Sequence, residues 1–279
     1  MTGNIKAIRT RIKSVESTRH ITRAMQLVAS SKMRSALARM EGSRFFFRAV
    51  REAFSDLAGG KCDSPFLRVR EVRKRVLVVI AGDRGLAGGY NANVFRAIRA
   101  RGFDPKKTDA VAIGRRACEF CEGEGFDLIV SYESVEKLGK EDCVSLSASL
   151  RDLFLAGDAD EIDLFYTEYV SALSQTVKEE TLLPLLPSAE TPRSAAETVY
   201  EPDPATVLEA IIPQYLTGIL WGAVSSSHAS ETAARRNAMD SATENASEMI
   251  EHLSLAYNRA RQGAITQEIT EIVAGAAQS

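Results

Sequence analysis

The sequence predicts an α/β protein: a long antiparallel coiled coil of the N- and C-terminal helices, with an α/β domain inserted between them. Three observations predict it. The two ends each follow a helical period far longer than a globular helix needs. They carry opposite charge, net +9 over residues 1–55 and net −4 over 204–279, inside a chain whose total is only −2. Between them, apolar runs alternate with short amphipathic helices, the pattern of a mostly parallel sheet. Two long terminal helices around such a body can pair only with each other. The expected division is 1–57 and 203–277 as one discontinuous coiled-coil domain, and 72–187 as the α/β domain.

The first helix is expected to start near Asn4, a capping residue type. Written as heptads, its a positions read Ile5, Ile12, Arg19, Gln26, Met33, Met40 and Phe47, and its d positions Ile8, Val15, Thr22, Ala29, Ala36, Ser43 and Val50. That is a coiled-coil seam broken in the middle by polar residues. About 50 helical residues span roughly 75–80 Å, and "AGGKCDSP" (58–65) ends the run.

From Arg75, "RVLVVIAGD" is a continuous apolar stretch, the mark of a buried parallel strand. Further strands are expected at 109–114, 126–132, 161–170 and 174–187. Helices are expected at about 91–101, through Cys118, and at about 144–156. Residues 188–198 read as a linker. Asp203 is a good cap for the last helix, with Pro204 at its first position. Pro213 should kink or restart that helix, and Gly218, Gly222 and Gly263 each weaken it. The Ala, Ser and Thr of 223–246 suit the close approach of a partner helix.

Composition narrows the function. With 279 residues, 45% hydrophobic and 26% charged, the chain matches an ordinary soluble protein with ample core. No run approaches the roughly 18 apolar residues of a membrane span. The N-terminus lacks the apolar core of a secretory signal. Four cysteines make no disulfide framework. Cys118 and Cys121 form C-x-x-C without a second pair for zinc, and core packing is the favoured reading. His20, His228 and His252 are scattered on helices, at positions expected to be partly exposed.

The strongest enzyme-like signal is "VLVVIAGDRGLAGGYN" (76–91). Gly82, Gly85, Gly88 and Gly89 could bring backbone N–H groups to a phosphate at a helix N-terminus. The stretch is neither G-x-G-x-x-G nor a P-loop. The plainer reading is a tight strand-to-helix turn with Asp83 and Arg84 exposed. The alternatives left open are a nucleotide-binding enzyme and a basic coiled coil that binds nucleic acid. Against the second, Phe45, Phe46, Phe47 and Phe54 cluster at one end and do not interleave with the basic residues.

"IRTRIKSVESTRHITRAMQLVASSKM" (8–33) and "YNRARQGAITQEITEIVAGA" (257–276) resemble the terminal signatures of the gamma subunit of F-type ATP synthases. "GDRGLAGGYN" (82–91), "YEPDP" (200–204) and "ASETAARRNAMDSATENA" (229–246) are similar as well. The resemblance implies a coiled coil plus a Rossmann-like domain, and a central-stalk rotor that couples proton flow to ATP synthesis but does no bond chemistry. It implies no cofactor, no nucleic acid and no small-molecule substrate. The implied partners are the alpha and beta subunits of the alpha3beta3 ring, the epsilon subunit and the membrane c ring. The implied place is the cytoplasmic face of a bacterial membrane, as a peripheral protein.

The basic helix would offer Arg9, Arg11, Lys13, Arg19, Arg23 and Lys32 to acidic beta-subunit surfaces. Arg23, Met25, Arg261, Gln262, Thr266 and Glu268 would meet the beta-subunit catch loops. Tyr200 and Glu201 would touch the c ring and epsilon. Arg236, Gly263 with Ala264, and Ala87 depart from the family's usual residues. No cysteine-bearing insertion of the redox-regulated type is visible, and the start of the sequence fits a chain without a transit peptide.

Overall fold

The structure is a computed structural model and describes residues 2–58, 64–186 and 200–276. Helix α1 spans Thr2–Ala58 and helix α5 spans Pro204–Ala276. Between them come β1 (Arg75–Ile80), α2 (Tyr90–Arg101), β2 (Thr108–Ile113), α3 (Arg115–Glu124), β3 (Asp127–Tyr132), α4 (Lys140–Ala156), β4 (Glu161–Tyr169) and β5 (Gln175–Leu183). The chain divides into two compact units, Met1–Ser30 with Arg235–Ser279, and Ser31–Ala234. The expected linker 188–198 lies outside the described residues, as do the side chains of Ser43 and Phe47 in the predicted seam.

The second unit is built on a five-stranded sheet of order β3-β2-β1-β4-β5. The first four strands run parallel, and β5 closes the β4 edge antiparallel. Strand β1 is central and apolar on both faces, as its unbroken run predicts. Val76, Val78 and Ile80 face a core shared with Leu150 and Phe154 of α4, Phe54 and Leu57 of α1, and Leu208 to Val224 of α5. Leu77, Val79 and Ala81 face a second core with Val94 and Ile98 of α2 and Ala117 and Cys121 of α3. Each Val, Leu, Ile or Phe among them contributes about 1.5–3 kcal/mol on burial. Phe54 stacks on Tyr215 at 4.3 Å. At Gly114, with φ +98°, a Cβ would lie 2.1 Å from the carbonyl oxygen of Ala81, so only glycine lets β2 end this close to β1.

Three features of the last helix bear on the sequence reading. It passes through Pro213 without restarting. The missing N–H and the ring clash cost about 3 kcal/mol in a helix interior. Leu208, Ile212, Tyr215, Leu216 and Leu220, all buried on either side of the proline, hold the helix through it. Second, α5 is long and apolar enough to cross a membrane by length and composition, contrary to the sequence reading, although half of its most apolar stretch is buried. Third, of the small residues that suited a partner helix, Thr243 meets α1, whereas Ser226, Ser227 and Ser230 pack on the sheet. Strand β4 loses its β1 partner after Phe165 but continues along β5 to Tyr169. The freed backbone is taken over by α5: Thr167 N donates to Ser227 Oγ at 3.2 Å, Tyr169 N donates to Ser226 Oγ at 2.8 Å, and Ser230 Oγ donates to Thr167 O at 3.3 Å.

The helix ends also test the caps. Asp203 Oδ1 accepts from the backbone N–H groups of Ala205 and Thr206, both at 3.0 Å, as predicted for a cap. Asn4 is no cap, because α1 already begins at Thr2.

Two buried ionisable groups oppose each other in pH. Asp163 is buried on β4, with Thr181 Oγ1 donating to it at 2.9 Å and Arg75 Nε 3.1 Å away. Burial pushes its carboxyl up to about 6. Stability from its protonated form is complete below about 3.9, the unfolded value, and is lost as pH rises through about 6. His228 is buried as well, contrary to expectation, with no hydrogen-bond partner at Nδ1. Burial lowers its pKa from 6.5, so its contribution is present above 6.5 and is lost as pH falls below that value. Urea midpoints at pH 7.5 and pH 5 separate the two. Asp163→Asn should increase the loss of stability on acidification, and His228→Asn should reduce it.

Candidate interaction surfaces

The first unit is a two-helix antiparallel pair. Thr22 Oγ1 and Thr243 Oγ1 lie 2.7 Å apart, and Gln26 Nε2 donates to Asp240 Oδ1 at 2.6 Å. Residue numbers rise on one helix as they fall on the other. In this unit every predicted seam position of α1, from Ile5 to Ala29, is buried or half-buried. On α5 the matching seam is Met239, Thr243, Ala246, Ile250, Leu253, Tyr257, Ala260 and Ala264, spaced alternately by four and three residues. Counted from Thr22 and Thr243, Val15 stands level with Ile250, Ile12 with Leu253 and Ile8 with Tyr257. The polar break in the seam is thus a hydrogen-bonded layer. Gln26 was legible as a break in the heptad, whereas its partner Asp240 lies beside the α5 seam and was not.

The predicted contact residues fall into separate groups. Arg9, Arg11, Lys13 and Arg23 are exposed on α1, while Arg19 is half-buried in the seam and Met25 half-buried beside it. Lys32 belongs to the other unit and is engaged within the chain, its Nζ 2.6 Å from Glu136 Oε2. That bond holds the Glu136 carboxyl below its usual range. Arg261, Gln262 and Thr266 are exposed on α5. The Thr266 hydroxyl donates to Gln262 O at 3.0 Å, which leaves its oxygen to accept. The side chain of Glu268 lies outside the described residues. Tyr200 is half-buried against the sheet unit's core and Glu201 is exposed.

By the register set at Thr22, α1 begins level with about Gly263, and α5 continues to Ala276. On this unpaired tip Ile265, Ile269 and Ile272 share a face by spacing, and all three are exposed, as is Val273.

The start of the glycine loop is engaged internally. Gly82 N donates to Asn91 Oδ1 at 2.8 Å, and Gly82 O accepts from Arg116 N at 3.1 Å. Asp83, expected to be exposed, is half-buried: its carboxylate accepts from Ser134 Oγ at 2.7 Å and from Val135 N at 2.8 Å, tying the loop to the segment after β3. Arg84 is exposed, as expected. Gly82 N, one of the donors a phosphate would use, is therefore already engaged, as is Arg116 N at the start of α3. Cys121 is fully buried and burial pushes its thiol up to about 12, while Cys118 is half-buried on the same core with its thiol also raised. Among the described residues no group of three or more His, Cys, Asp or Glu is placed to hold a metal.

Comparison with known proteins gives consistent results. A family model described as ATP synthase matches residues 4–278. The ATP synthase gamma chain of Ruminococcus albus is 43% identical over 282 residues, covering 97% of this chain and 96% of that protein. That of Alkaliphilus metalliredigens is 40% identical over 278 residues, covering 96% of each. In fold, the chain is similar to one in the OSCP/F1/c-ring structure of Euglena gracilis mitochondrial ATP synthase. The TM-score is 0.73 at 18% identity, over 98% of this chain and 93% of that one.

Gly263 lies on the exposed side of α5, and a Cβ there would meet nothing within 4 Å. A glycine in a helix interior costs about 0.8–1 kcal/mol relative to alanine. Gly263→Ala should therefore stabilise the end of α5 by up to that amount. Slower amide hydrogen exchange over 257–270 is the check.

Proposed function

The chain belongs to the ATP synthase gamma chain family, and from that premise we infer that it is the central-stalk rotor subunit of an F-type ATP synthase. It couples proton flow through the membrane sector to ATP synthesis at the beta subunits by turning inside the alpha3beta3 ring. The chain itself is non-catalytic and belongs to a membrane-associated complex as a peripheral part. We place it on the cytoplasmic face of a bacterial membrane, in keeping with its bacterial relatives.

The observation that carries the reading is the coiled-coil unit. Its inner seam is satisfied by its own two helices, yet its outer surface keeps exposed cations on α1 and an unpaired apolar stripe at the end of α5. Side chains of that kind left on a two-helix pair fit a surrounding collar of partners. Arg9, Arg11, Lys13, Arg23 and Met25 would face the beta subunits from α1, and Arg261, Gln262, Thr266 and Glu268 from α5. Tyr200 and Glu201, just before α5, would face the c ring and epsilon. Against the nucleotide-enzyme alternative, Gly82 N and the Asp83 carboxylate of the glycine loop are engaged within the chain. Pull-down of the tagged chain from native membranes tests the reading: recovery of alpha, beta and epsilon supports it, and their absence defeats it.

Exposed ion pairs are worth roughly 0–1 kcal/mol each and are screened by salt. Replacing Arg9, Arg11 and Lys13 together by Ala should leave assembly intact and weaken coupling modestly, measured as ion pumping per ATP hydrolysed. Loss of assembly with an intact fold would show contacts of a stronger kind.

Arg261 and Gln262 can form hydrogen bonds in one rotor orientation and lose them in the next. Charge-assisted bonds of this sort are worth about 1.5–3 kcal/mol. Arg261→Ala or Gln262→Ala should slow ATP turnover of the reconstituted complex while the isolated chain melts as wild type. Unchanged turnover in both, with the complex shown intact, counts against these positions.

A further inference from the structure

Doubly wound sheets take their ligands outside the C-terminal ends of the strands, where the strand order reverses. Here the reversal falls between β1 and β4. We propose that this crevice is a socket for the chain's own helix α5, with the Glu231 carboxylate in the place of a bound anion, and that the socket fixes the rotational phase of α5 against the sheet.

The geometry is specific. Glu231 is buried, only 4% exposed. Its carboxylate lies so close to Gly82, the first residue of the glycine loop, that a Cβ there would be 2.7 Å from Oε1. The neighbouring contacts are the serine bonds to β4, together with Tyr90 OH donating to Ser227 O at 3.1 Å from the first residue of α2. Ser227 and Ser230 have no exposed surface. Ser226, Ser227, Ser230 and Glu231 span little more than one turn and share a face. A helix held along one face by buried hydrogen bonds cannot turn about its axis without breaking them together. Each buried group left unpaired would cost about 1–3 kcal/mol. Glu231 is therefore a positioning residue, and Gly82 provides the room for it.

The experiment is a double-mutant cycle on the full chain. Gly82→Ala should force the carboxylate out, and Glu231→Ala should remove it. Each alone should lower Tm by about 4–8 °C. The double variant should melt no lower than the worse single, because the added methyl enters the vacated space. Losses that simply add would show that the two residues share no interaction and would overturn the socket.

A second readout, which rests on the rotor reading, tests the joint. In the reconstituted complex the double variant should pump fewer ions per ATP hydrolysed than wild type, although it assembles. Unchanged pumping would refute the role in fixing phase. Failure of the wild-type chain to assemble would instead sink the rotor reading and leave the melting cycle to decide the socket.

Discussion

Beyond Phe165, β4 has no β1 beside it, and the inward backbone groups of Thr167 and Tyr169 must be satisfied by something else. An unpaired buried N–H costs about as much as a lost hydrogen bond, and the groups here lie where water is excluded. The hydroxyls of Ser226, Ser227 and Ser230 supply the missing partners. Much else follows from this. The helix must come close, so its face is built from Ser, Ala and Thr. The glycine loop must clear Glu231, so Gly82 has no side chain. Leu208 to Val224 of the same helix are then drawn across the sheet and complete one of its two cores.

The sequence spoke most clearly where one period decided the outcome. Val76 to Ile80 could only be a central strand, and the seam from Ile5 to Ala29 was visible residue by residue because a heptad names its own inner face. A period identifies the inner face but does not say what covers it. The small residues at 223–246 read as room for a helix, yet those at 226–230 take the end of a strand, since a serine hydroxyl serves either neighbour. Asp83 and His228 were misjudged for the same reason: their partners and their burial come from segments distant in sequence. Pro213 does not restart the helix, and buried side chains lie on both sides of it. In the candidate contact set, the exposed arginines were legible as charge. That Lys32 is spent on Glu136 was not, because the two are far apart in the chain.

The polar layer in the coil runs against the usual preference for apolar seams. Thr22 with Thr243 and Gln26 with Asp240 satisfy one another, so the layer avoids the penalty of unpaired groups while giving up the stabilisation that leucines there would add. The pair is therefore held by directional bonds in one part and by apolar layers around Ile12 and Val15 in another.

The same pairing joins the first residues of the chain to nearly the last. During synthesis the seam from Ile5 to Val15 leaves the ribosome well before Ile250, Leu253 and Tyr257. At about 5–20 residues per second the two are separated by roughly ten to fifty seconds. Throughout that interval the early helix has an apolar stripe and no mate, while the sheet between them can close only one of its cores without α5. The coil can therefore close only once α5 has been made, long after the stripe it covers.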